Sequence, residues 1–247
     1  MNKTSLFLTL FGALFALVSM PSCRTISPKA EATQPAKPKY DKASYEYFVT
    51  RHGYPKTMSI YRNETLLRQA NGKSPIYVCL SQQRGRLYVN GQVAADWPVS
   101  TGVSGHETPT GSFRIQEKKK TYASNRYGKM YDAEGKCIDY NADAFKDAVP
   151  EGGKFVGSSM PNWQRMTSDG VGMHTGKVRA GRRLSHGCIR TPHRMASELF
   201  NITETGSRVT VTQGLEACYP AREALDSTRE AKKAAAPSGS IASDTTR

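Results

Sequence analysis

Two short stretches of this 247-residue chain hold its most reactive pairing of side chains: Met173-His174-Thr175-Gly176 and Ser185-His186-Gly187-Cys188-Ile189-Arg190. A thiol becomes a useful nucleophile when a neighbouring cation or an accepting base favours its thiolate. Cys188 lies two residues after one histidine and 14 after another, with Arg190 and the pair Arg182-Arg183 close by. Gly187 lets the backbone turn sharply, which exposes Sγ and aims amide N–H groups at a developing oxyanion. His186 is expected to point away from the sulfur, and His174, arriving from another strand, to be the general base. Spacing alone leaves two other readings open. Cys188 with His174, His186 and His193 has the residue types of a zinc site, although neither CxxC nor HxxxH spacing is present. The same residues could also be inert and structural.

The elements that must position these groups read as mainly β. Ile76–Leu80 and Arg86–Val89 are apolar runs separated by a short connection, and Asn90-Gly91 supplies the positive φ angles of a tight hairpin into Gln92–Val99. Ser112–Gln116 and Ser207–Thr212 alternate apolar and polar residues. One helix is marked, with Thr191 as its cap, Pro192 in its first turn and Met195, Ala196, Leu199 and Phe200 on its apolar face. Residues 117–165 are Gly- and Tyr-bearing and weakly periodic, and are read as a long lid loop. Trp163 and Tyr127 either line a groove or belong to the core. Lys118-Lys119-Lys120 is read as an exposed strand end, and His52, His106 and His193 as having no catalytic duty.

At 38% hydrophobic and 23% charged residues the chain can build a core, which excludes wholesale disorder. Of the net charge of +14, half is carried by residues 1–73, ahead of the expected domain. That excess suits an anionic partner, but no Lys/Arg cluster interleaved with aromatics marks a nucleic-acid surface. Met1-Asn2-Lys3 and the apolar run Ser5–Met20 read as a signal peptide over 1–22, so the chain is expected to be exported to the periplasm or cell envelope. Cys23 follows the small residues of a cleavage region and is a candidate lipid anchor. Residues 23–43 have the composition of a flexible tether, 44–73 form an N-terminal extension with a short helix at 64–70, and 214–247 form a tail. In an oxidising compartment Cys79, Cys137 and Cys218 are available for a disulfide, and Cys79 with Cys218 would tie the first strand to the end of the domain.

SHGCIR preceded by HTG resembles the L,D-transpeptidase catalytic domain (YkuD type), over residues 74–213. Pro98-Val99-Ser100-Thr101-Gly102, Thr108-Pro109-Thr110-Gly111-Ser112-Phe113 and Met160-Pro161-Asn162-Trp163 extend the resemblance. It implies a sandwich- or barrel-like β fold with one packed helix. Cys188 would be the acylated nucleophile and His174 its base, with His186, Ser185 and Gly187 shaping the site. Arg190 would hold the loop or meet a substrate carboxylate, and Trp163 and Thr175 would border the substrate. The implied reaction is acyl transfer on peptidoglycan stem peptides. Cys188 attacks the carbonyl of the L-centre of a diamino acid, D-Ala leaves, and an amine of a second stem, of glycine or of a protein lysine resolves the acyl-enzyme. Water as acceptor would make a carboxypeptidase, and loss of the chemistry would leave a wall-binding lipoprotein. No metal or cofactor is called for.

Overall fold

Strand-forming residues dominate between Tyr40 and Gly214, the span that a computed structural model of the chain describes. The expected signal peptide, with Cys23, and almost all of the tail lie outside the described residues. So does Cys218; Cys79 is disulfide-bonded, while Cys137 and Cys188 are free.

The largest sheet has six strands: β1 (Tyr61–Arg62), β2 (Ile76–Cys79), β3 (Arg84–Val89), β4 (Gln92–Pro98), β5 (Gly111–Arg114) and β13 (Arg208–Thr212), in the order β1-β4-β3-β2-β13-β5. Alternation does the sorting here. Ile76, Val78, Leu87, Val89, Ala95, Trp97, Val209 and Val211 all enter the core, because successive strand residues face opposite sides. The hairpin between β3 and β4 turns at Asn90 (φ 50°) and Gly91 (φ 74°), as the Asn-Gly pair predicts. The late strand β13 runs parallel to β2 and antiparallel to β5, so strands from near residues 76 and 212 share one sheet.

A second sheet, β12-β11-β10-β6, comprises β6 (Glu117–Lys119), β10 (Trp163–Arg165), β11 (Gly172–Thr175) and β12 (Ile189–Thr191). Helix α3 (His193–Ile202) packs on β11 through Met195, Ala196 and Leu199, with Phe200 only partly buried. The helix starts later than its sequence suggests. Thr191 belongs to β12, where its carbonyl accepts from Gly176 N–H, and Pro192 takes the cap position with no side-chain cap. Lys118 is likewise not a free strand end. Its Nζ donates to the Phe200 carbonyl at 2.7 Å and to that of Thr203, so it neutralises the C-terminal end of α3.

The expected lid loop is strand for most of its length. β7 (Ala123–Tyr131), β8 (Cys137–Asp143) and β9 (Lys154–Ser159) form a third sheet in the order β8-β7-β9. Two register shifts between β7 and β8, at Gly128/Met130 and Met130/Tyr131, break the period of two, which is why alternation does not reveal these strands.

The extension 44–73 is pinned to the large sheet. Helices α1 (Tyr45–Thr50) and α2 (Glu64–Leu67) flank β1, which pairs with β4. Asp96 on β4 is fully buried between Arg84 and Arg86, at 2.6 and 3.0 Å, and accepts the hydroxyls of Tyr45 and Tyr54 at 2.6 and 2.9 Å. Arg84 also donates to the carbonyls of Thr57 and Ser59. Two guanidiniums around one carboxylate are tolerable in a dry site because backbone carbonyls, tyrosine hydroxyls and Gln82 accept from them as well. Asp96→Asn leaves both cations short of charge. It is expected to cost about 3–5 kcal/mol in a denaturant melt, whereas a loss under about 1 kcal/mol contradicts this account.

Candidate active site

The parallel pairing of β11 with β12 brings the two motifs together. Met173 lies opposite Ile189, His174 opposite Arg190 and Thr175 opposite Thr191. Met173 and Ile189 point into the core, so His174 and Arg190 project from the other face. Cys188, one step before Ile189, lies on that face too, level with Gly172. The sulfur accepts a hydrogen bond from the Gly172 amide, and its thiol donates to the Gly170 carbonyl at 3.8 Å. Gly172 has to be glycine, because a Cβ would stand 2.4 Å from the Gln164 carbonyl oxygen and 2.7 Å from the Trp163 ring.

His174 is only 6% exposed and lies beside the Trp163 ring, with centroids 6.1 Å apart. Its Nδ1 is 2.8 Å from the Thr175 carbonyl, which can only accept, so Nδ1 carries the hydrogen and Nε2 is left with its lone pair. Thr175 is itself anchored, since Asn162 Nδ2 donates to its hydroxyl at 3.0 Å. Burial lowers the His174 pKa to about 4, helped by Arg190 and opposed by the Thr175 bond. Burial pushes the Cys188 thiol up, against the Gly172 amide and Arg190, which favour the thiolate. At neutral pH the pair is therefore a neutral thiol beside a neutral imidazole. Arg190 is half-buried and its own pKa is lowered by burial; among the described residues it has no ion pair.

The turn before Cys188 is held from several sides. Ser185 Oγ accepts from Gly187 N–H at 3.2 Å and donates to the Cys188 carbonyl at 2.5 Å. Gly187 has φ +112°, a conformation open to glycine. Its carbonyl accepts from Thr108 Oγ1 at 2.6 Å, and the same hydroxyl accepts from Gly102 N–H at 2.9 Å. Gln83 holds Thr101 through both its amide atoms, at 2.7 and 2.9 Å, and the Thr101 carbonyl accepts from Leu184 and Ser185 N–H. Bridges from Ser100 to Arg190 and from Gly102 to Ser185 complete the frame. Sequence reasoning gave Thr108 and Thr101 only as parts of a motif and missed Gln83. The run of polar residues Ser81-Gln82-Gln83 between two strands is the one local hint of it.

His186 is exposed and its ring turns outward. It stacks on Tyr127 of β7 at 4.5 Å and meets His106 edge-on at 4.7 Å. Tyr127 thus borders the site, while Trp163 is fully buried and packs under His174. His193 begins α3. Among the described residues no group of three or more His, Cys, Asp or Glu side chains could hold a metal ion.

His174 binds its proton near pH 6.5 when unfolded but only near 4 when folded. Between those values the unfolded chain holds more protons, so stability is lost as pH falls. Unfolding free energy measured from pH 7 to 4 is expected to drop by about 3 kcal/mol more in the parent than in His174→Gln. Equal slopes would show that the imidazole is not shielded as described. Thr108→Val, which leaves the buried Gly187 carbonyl and Gly102 amide without a partner, is expected to cost about 2–4 kcal/mol in the same assay.

Among curated proteins no relative matches this chain. Among solved structures, an L,D-transpeptidase from Mycobacterium smegmatis matches at 19% identity with a TM-score of 0.43, over 57% of this chain and 58% of its own. One from Stackebrandtia nassauensis matches at 21% with a TM-score of 0.42, over 59% and 58%. L,D-transpeptidase 3 from Mycobacterium tuberculosis, in complex with a faropenem-derived adduct, matches at 19% with a TM-score of 0.43, over 57% and 60%. The chain thus spans less than two thirds of each. The profile of the L,D-transpeptidase catalytic domain (YkuD) matches residues 74–211, more than half of the sequence and the whole of the Cys188–His174 frame, so the chain belongs to that family.

Proposed function

We propose that the chain is a cysteine-dependent peptidoglycan L,D-transpeptidase. The observation that carries this reading is the common face shared by Cys188, His174 and Arg190, with the His174 tautomer fixed so that Nε2 is free to accept a proton. Nε2 takes the thiol proton as Sγ attacks the carbonyl of the L-centre of the stem-peptide diamino acid. The imidazolium then returns that proton to the departing amine of D-Ala, leaving a thioester on Cys188. An amine of a second stem, of glycine or of a protein lysine displaces the sulfur. Its proton passes back through His174 to the thiolate.

A buried neutral pair suits this sequence. A thiol that stays protonated until a carbonyl is in place is protected from idle oxidation, and a dry pocket strengthens each electrostatic contact made in the transition state. The thiol must swing from the Gly170 carbonyl to His174 when substrate binds, a tightening common between free and bound catalytic sites. Arg190, a half-buried cation without an ion pair among the described residues, fits a stem-peptide carboxylate. Ser185 and Gly187 hold the turn that presents Cys188. His186 is part of that turn, and its outward ring walls the entrance with Tyr127. Export by the signal sequence, tethering through residues 23–43 and anchoring at Cys23 would place this chemistry at the wall.

A solved relative is described with a faropenem-derived adduct. The test is the intact mass of this protein after exposure to a carbapenem. A single added β-lactam mass is expected in the parent and none in Cys188→Ala. Acylation is expected to hold a plateau from about pH 5 to 8, because the base protonates only near pH 4. No adduct on folded, reduced protein overturns the reading. Release of D-Ala from a tetrapeptide without cross-linked product would instead identify water as the acceptor.

A further inference from the structure

Seven large apolar side chains stand exposed among the described residues, and five of them, Ile138, Tyr140, Phe145, Val149 and Val156, fall within 19 positions of the third sheet and its connection. The inner face of that sheet is spent on Met130 and Ala142, both buried. On the outer face Lys129 lies opposite Val156 and places its Nζ 5.4 Å from the Tyr140 ring centroid. Arg126 lies 5.3 Å from the Phe145 ring centroid and pairs with Asp143. Tyr140 and Phe145 are each 68% exposed. A cation over one face of a ring leaves the other face open and electron-rich.

We infer that this outer face is a docking surface for the sugar backbone of the wall polymer, with Tyr140 and Phe145 as platforms for sugar rings. The inference rests on the transpeptidase reading for the choice of polymer, though not for the surface itself. Three features select a glycan over other occupants. Exposed rings each edged by a cation match sugar rings, whose polarised C–H groups face the π surface while hydroxyl and N-acetyl groups meet neighbouring charges. The acidic residues Asp132, Glu134, Asp139, Asp147 and Glu151 on the same sheet and connection disfavour an anionic lipid surface. A second copy pairing along β8 meets the two register shifts that interrupt that edge.

The surface is continuous with the catalytic entrance. Asp143 of β8 lies opposite Tyr127, which stacks on His186, and Tyr140 is three residues away along the same strand. That is about 10 Å, the reach of about three extended residues of a stem peptide. A sugar held at Tyr140 would therefore let its own stem peptide arrive at Cys188.

The experiment measures binding of the full chain to stem-free glycan strands, prepared by amidase digestion of sacculi, and to a tetramer of β-1,4-linked N-acetylglucosamine. Parent, Tyr140→Ala and Tyr140→Ala/Phe145→Ala are compared, and carbapenem acylation of each is followed separately. The double variant is expected to bind glycan about five- to tenfold more weakly, with the single variant between it and the parent. Parent that fails to bind stem-free strands, or a double variant that binds as well as parent, overturns the inference. So does a parent dimer, seen by sedimentation, that the double variant abolishes. Glycan binding that persists when Cys188 proves unreactive would overturn the transpeptidase reading and leave this surface standing.

Discussion

The parallel pairing of β11 with β12 is the constraint on which the rest of the site depends. It is a short pairing, and in a parallel ladder residues level with one another share a face. One face is committed to the core by Met173 and Ile189, so Cys188, His174 and Arg190 have no choice of side. A slip by one residue would bury the imidazole's place with a methionine and turn the thiol inward. The surrounding frame prevents that slip. Ser100 bridges Arg190 from the far side, Gly102 bridges Ser185, and Thr108 holds the carbonyl of Gly187, whose φ is positive.

Burial sets the electrical character of the site as much as the neighbours do. The same dry environment that pulls His174 down pushes Cys188 up, so the proton stays on sulfur and the nitrogen remains a base. An imidazolium–thiolate pair would need nearby countercharge, and the only guanidinium acting on both groups favours the thiolate while disfavouring the imidazolium. Arg190 therefore biases the pair toward proton loss from sulfur only once another group shares the charge. A substrate carbonyl developing negative charge is such a group. The arrangement spends its electrostatics where charge appears during reaction rather than beforehand.

Much of this was legible in the sequence. The large sheet announces itself through Val, Ile and Leu alternating with polar residues, and Asn90-Gly91 marks its hairpin, because both signals are local. The pairing of Cys188 with His174 is legible from residue type and spacing, and the roles proposed for them come from the resemblance. What the sequence hid depends on distant partners. Thr191 has every local attribute of a helix cap, yet its carbonyl is committed to Gly176 across the sheet. Residues 117–165 carry no clean period because bulges in the β7–β8 pair shift the register twice, and because apolar residues occupy the solvent face as well as the inner one. Gln83 is one of several polar residues in a turn, and only the fold makes it the clamp on Thr101.

The N-terminal extension is the least obvious contributor to the site. Its attachment is electrostatic, through Asp96 and two arginines that find their remaining acceptors in Thr57, Ser59 and Tyr54. Lys56 lies between those anchors, and its side chain runs against Gly181, where a Cβ would stand 3.0 Å from Lys56 Cγ. Gly181 belongs to the connection from His174 to the Ser185–Cys188 turn, and Arg179 in the same connection exchanges hydrogen bonds with Ser100. The connection is thus packed between the extension on one side and the Ser100 strand end on the other. A buried ion cluster in the large sheet thus fixes residues 54–59, and through Lys56 they pack against the connection that leads to Cys188. The frame around Cys188 and His174 therefore draws on the N-terminal extension and on the Ser100 strand end, although those two residues lie only 14 positions apart.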